Sequence, residues 1–130
     1  MNEKHVVSLE LSKKLKEAGY LQEGEFWWLH NKIKDVWKII SVIIDDIKRH
    51  PESWEYIVAP LASELMERLP DSIRDYDLIV SKLDDEFFVY YERDVCSNLG
   101  IMFKDTNLCN ALAKMYIYLA EIGGRRDDEI

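Results

Sequence analysis

Apolar positions recur at helical spacing near both ends of this chain and at alternating spacing in much of its middle. Residues 8 to 18, SLELSKKLKEA, carry Leu11, Leu15 and Ala18 on one side and Lys13, Lys14 and Glu17 on others, which predicts a short amphipathic helix. Ser8 is placed to cap it, and Gly19 supplies a left-handed stop. At the other end, NLCNALAKMYIYLAEI repeats Leu108, Leu112, Met115, Leu119 and Ile122 in steps of four and three, with Asp105 or Thr106 available as the cap. So few strongly polar residues interrupt this last helix that it is expected to be the central packing element or half of a subunit interface.

Between the helices, EFWWLH after Gly24 reads as a strand that sends Phe26, Trp28 and His30 to one face and Trp27 and Leu29 to the other. A strand apolar on both sides is either covered twice or keeps an aromatic face for a partner. Residues 32 to 49 support two readings. Ile33, Val36, Trp37, Ile40, Ile43 and Ile47 fit a helical face, whereas the β-branched density of VWKIISVII favours a strand. The balance falls on the strand, with NKIKD as the loop of a hairpin returning from EFWWLH. WEYIVAP is a further short strand ended by Pro60, and LASELMERLP sets Leu61, Leu65 and Leu69 on one helical face until Pro70 closes it. DLIVSKL and EFFVYYE form the strongest hairpin, joined by Asp84 and Asp85, and a loop is expected around SNLG. The prediction is a small single α+β domain over residues 1–124, an antiparallel sheet with about three helices packed mainly on one face, in the order α-β-β-α-β-β-α. Residues 125–130 are expected to be a frayed tail.

Length and composition agree with one core: 130 residues, 48% hydrophobic and 32% charged, lie well inside the soluble globular range. No apolar stretch at the N-terminus is long enough for a signal peptide, and IISVII and MYIYLA are too short to span a membrane, so a cytoplasmic location is expected. The formal net charge of -8 is concentrated, because residues 45 to 94 hold 14 acids and 6 bases while the rest of the chain sums to zero. Phosphate backbones repel such a surface, so direct nucleic-acid binding is disfavoured, although an acidic surface of this kind can imitate nucleic acid toward a basic protein groove.

Three blocks, HVVSLELSKKLKEAGY with EGEFWW, YIVAPLASELMERLP and NLCNALAKMYIYLAE, resemble in order and spacing a group of short uncharacterised proteins found in bacterial genomes, phages and other mobile elements. The resemblance spans about half the chain and implies a compact intracellular protein of mobile-element type, with no activity attached. Members of that group place threonine where this chain has Leu61, which would complete a capping box with Glu64 that leucine cannot.

Catalytic signatures are missing from the pattern, and no cofactor is expected. Five glycines form no GxGxxG, Walker or GxSxG motif. His5, His30 and His50 stand far apart, and Cys96 and Cys109 lack metal-site spacing, so both thiols read as buried structural residues. The metal candidates are the acids Asp45, Asp46, Asp84, Asp85 and Glu86, without a calcium-loop spacing. What remains is the aromatic inventory, Trp27, Trp28, Trp37 and Trp54 with Phe87, Phe88, Tyr90 and Tyr91. Alternation along EFFVYYE sends Phe87, Val89 and Tyr91 one way and Phe88 and Tyr90 the other. The expected function is a protein-binding module, with a foreign protein or a second copy as partner, and Trp27, Trp28, His30, Trp37, Tyr90 and Tyr91 as its candidate contact residues. The alternatives are a small metal-dependent enzyme built on the acids and a purely structural homo-oligomer.

Overall fold

A computed structural model describes residues 5–41, 43, 45–94 and 97–123. The order is α1 (Leu9–Glu17), β1 (Trp27–Asn31), β2 (Val36–Ile40), α2 (Asp45–Arg49), β3 (Trp54–Val58), α3 (Ala62–Arg68), β4 (Ser72–Ile73), β5 (Tyr76–Leu83), β6 (Glu86–Asp94), β7 (Ser97–Asp105) and α4 (Leu108–Gly123). This is an α+β domain. No described helix is long and apolar enough to cross a membrane.

Helix α1 begins and ends as its sequence predicts. The Ser8 hydroxyl accepts the Leu11 amide, and Gly19, at φ +92°, lets Tyr20 N–H reach Leu15 C=O and Gly19 N–H reach Lys16 C=O, which closes the last turn as a Schellman motif. Helix α3 starts without a hydroxyl cap. One oxygen of Glu64 still accepts the Leu61 amide, and the other accepts the Glu25 amide from the connection between α1 and β1. Gly24 permits this approach, because a Cβ there would lie 2.8 Å from the Val58 side chain and 3.1 Å from the Glu64 carboxylate.

Strands divide into two antiparallel sheets rather than one. The first has the order β2-β1-β3 and the second β4-β5-β6-β7. Helix α4 packs on β6 and β7 and also meets α1 and α3, while α1 touches β3. One apolar cluster runs through all of these, with Leu15, Val58, Leu65, Val89, Tyr91, Leu112 and Met115 buried in it. The expected central role of the last helix holds.

Hairpin chemistry is clear in both sheets. Between β1 and β2, the Asn31 carboxamide oxygen accepts the amides of Ile33 and Lys34, and Asp35 takes φ +54°, so NKIKD is the loop the sequence predicts. Asp84 and Asp85 form the two-residue turn of the β5–β6 hairpin, with Leu83 paired to Glu86 and Asp84 at φ +57°.

Two further expectations are corrected. The strand reading of residues 32 to 50 holds only for β2, and Asp45–Arg49 is a helical turn that carries Ile47 inward to 8% exposure. The first part of the β-branched run forms an edge strand and the short helix begins only after the run, at Asp45, so neither period extends through the whole segment. The loop expected around SNLG lies inside β7. Its alternation is disguised by Gly100 at φ +77° and by register shifts against β6 between Tyr90 and Asp94. Cys96 and the tail 125–130 lie outside the described residues.

Candidate interaction surfaces

Register places the first aromatic group. On one face of the three-stranded sheet, Trp28 lies between Ile39 and Ile57, and His30 between Trp37 and Glu55. The N-terminal segment covers much of this face: Trp28 is 6% exposed, its indole N–H donates to Val7 C=O at 3.0 Å, and Val6 and Ala59 are buried with it. Leu29 on the opposite face is 3% exposed, so β1 is covered on both sides. Trp27 is half-buried on that second face, edge-on to Tyr56 with ring centroids 5.7 Å apart.

His30 and Trp37 form a stack at the edge of the first face, with centroids 4.4 Å apart and planes within 6°. The Lys13 ammonium lies 5.0 Å from the Trp37 ring. His30 Nε2 lies 2.8 Å from Asp35 and Nδ1 3.3 Å from Glu55, and both contacts are donated only when the ring carries two protons. Every partner in this group comes from within the fold.

On the four-stranded sheet, alternation separates the two tyrosines as predicted. Tyr91 faces α4, is 1% exposed, and donates its hydroxyl proton to Pro70 C=O at 2.7 Å. Burial pushes its phenol up to about 12, with the charge of Asp71 adding to the effect. Tyr90 points the other way. Its cross-strand neighbours are Ile79 on β5 and Met102 on β7, and the next row is Ser81, Phe88 and Lys104. Beyond Tyr90 in the other direction, Glu92 pairs with Asp77. None of Ile79, Ser81, Phe88 and Tyr90 is fully buried, Met102 is 54% exposed, and Leu83 further along β5 is 66% exposed. Residues of the opposite face, Leu78, Val80, Ile101 and Phe103, pack on the core beneath α4. Phe88 and Tyr90 were legible as one face of EFFVYYE, whereas Ile79 and Met102 join them only through the pairing of three strands.

The Cys109 thiol is 4% exposed, donates to the backbone carbonyl of His5, and is pushed up by burial, which favours the unreactive thiol over the thiolate. Glu52 is held below the usual carboxylate range by a backbone hydrogen bond and by His50. Among the described residues no three histidine, cysteine, aspartate or glutamate side chains gather around a point that suits a metal ion. Asp84 and Asp85 occupy the β5–β6 turn and Glu86 begins β6, Asp45 begins α2, and the side chain of Asp46 lies outside the described residues. No protein-family model, curated protein or solved structure matches the chain.

Proposed function

We propose that this chain is a non-enzymatic interaction module, and that the open face of the four-stranded sheet docks on the same face of a second copy. The observation that carries the reading is the row Ile79, Tyr90 and Met102, flanked by Phe88, on the side of the sheet opposite α4. Aromatic and methionine side chains on a sheet face that no described element covers are the residue types that anchor protein interfaces.

Two corners of the face are complementary in charge. Lys104 on β7 and Asp77 on β5 stand at diagonally opposite corners. A two-fold axis along the other diagonal brings each Lys104 to the Asp77 of its mate, with the two sheets crossing near a right angle. Tyr90 then meets its own mate on the axis, and Ile79 meets Phe88. Met102 then meets Glu92, so the contact has Tyr90, Ile79 and Phe88 at its centre and the Lys104–Asp77 pairs at its rim, an arrangement that favours a two-fold dimer.

Light scattering after size exclusion tests the reading. Wild type is expected to run as a dimer at about 100 μM, above the μM-to-pM range in which specific protein interfaces dissociate. Tyr90→Glu, which sets two like charges against each other on the axis, is expected to give a folded monomer. A monomeric wild type at that concentration, or a variant that stays dimeric, overturns the proposal.

A further inference from the structure

A groove of about 510 Å³ opens between the end of α3, the β4–β5 turn and the C-terminal half of α4. It lies beside α4 and is separate from the open sheet face. Its walls are mostly apolar, with Leu69, Ile73, Tyr116 and Leu119 among them, and two cations line it, Arg68 and Arg74. That size, and an apolar lining with few charged groups, is the character of a small-molecule site.

The two arginines identify the ligand chemistry. Residues 45 to 94 carry 14 acids against 6 bases, and two of those six bases line this one groove. Arg68 is held in place, because its Nη1 donates to Leu21 C=O at 2.9 Å and its guanidinium lies 4.5 Å over the Tyr20 ring. A guanidinium so held keeps further N–H donors, and its planar fork matches the two oxygens of a carboxylate. Arg74 projects from the two-residue turn between β4 and β5, where Arg74 and Asp75 both have positive φ, +49° and +71°. Such a turn fixes the backbone at the mouth of the groove.

We infer that this groove binds a small amphipathic carboxylate, its head group between Arg68 and Arg74 and its alkyl body along Ile73, Tyr116 and Leu119. The head group supplies charge-assisted hydrogen bonds and the body replaces water on the apolar wall, so neither half of such a ligand binds as well alone. This site stands independently of the proposed dimer.

Titration of the full chain with octanoate, followed by amide shifts in two-dimensional NMR, tests the inference. Saturable shifts are expected at Ile73, Arg74, Tyr116 and Leu119. Octan-1-ol, which has the same body without the charge, and inorganic phosphate, which has charge without the body, are each expected to bind at least about tenfold more weakly. Arg74→Gln is expected to weaken octanoate about tenfold or more, because a hydrogen bond to a charged group is lost at an exposed turn. Ala120→Trp, which fills the groove from α4, is expected to abolish the shifts while the amide spectrum stays dispersed. The absence of saturable shifts to about 10 mM overturns the proposal. So do shifts centred elsewhere, affinity unchanged in Arg74→Gln, and octan-1-ol or phosphate binding as tightly as octanoate.

Discussion

Two buried tyrosines show how the same side chain acts differently according to what meets its hydroxyl. Tyr91 donates to Pro70 C=O, whereas no described group meets the Tyr20 hydroxyl at hydrogen-bond geometry. Tyr91→Phe is therefore expected to cost about 1–2 kcal/mol in urea unfolding, and Tyr20→Phe to be neutral or stabilising by up to about 1 kcal/mol, since it removes a polar atom that burial leaves unpaired. Both phenols are pushed from 10 up to about 12, chiefly by burial, with the Arg68 charge opposing the shift at Tyr20. The folded chain thus keeps two protons that the unfolded chain releases. Their contribution is fully present below pH 10 and is lost as pH rises from 10 through about 12, at about 2–3 kcal/mol for each tyrosine. Urea midpoints measured between pH 9 and 12 should fall across that window, and the fall should be smaller in Tyr20→Phe. At this scale the sequence was only partly legible. Alternation separated Trp27 from Trp28 and Tyr90 from Tyr91, but burial of Trp28 depends on Val7 crossing its indole, and nothing local in EFWWLH reveals that contact.

Elements were legible where local chemistry and period agree. Gly19 stops α1, the alternating four-and-three repeat marks α4, and Asp84–Asp85 turns β5 into β6. The segments that misled do so for a physical reason. Residues 36 to 49 satisfy both periods because isoleucine suits a helix face and a pleated face alike, and only the pairing of β2 with β1 ends the ambiguity. In β7 the polar Ser97 and Asn98 and a left-handed Gly100 hide a strand whose Ile101 and Phe103 reach the core. In the β1–β2 hairpin the Asn31 side chain supplies the acceptor for two loop amides. Asn31→Ala is expected to cost about 1 kcal/mol and to speed hydrogen exchange selectively at Ile33, Lys34 and the β2 amides. Uniform acceleration over both sheets would show that the loop bond does not act locally.

For the whole molecule the question is whether two sheets make one folding unit. The chain's four tryptophans, Trp27, Trp28, Trp37 and Trp54, all belong to the three-stranded sheet, and the four-stranded sheet has none. Indole fluorescence therefore reports one sheet, while far-ultraviolet circular dichroism reports both. Leu112 sits on α4, which packs on β6 and β7, yet its buried cluster also contains Val58 at the end of β3 and Leu15 of α1. A core continuous through both sheets makes local loss of one sheet costly to the other, so the two probes are expected to give coincident urea transitions. Leu112→Ala leaves a cavity far from every tryptophan-bearing strand in sequence, and it is expected to lower both midpoints together by an amount equal to about 2–5 kcal/mol. If the dichroism midpoint falls while the fluorescence midpoint stays, the sheets unfold separately and α4 stabilises only the second. Coincidence in the variant as well as in wild type establishes α4 as the element through which a domain with two short sheets becomes a single cooperative structure.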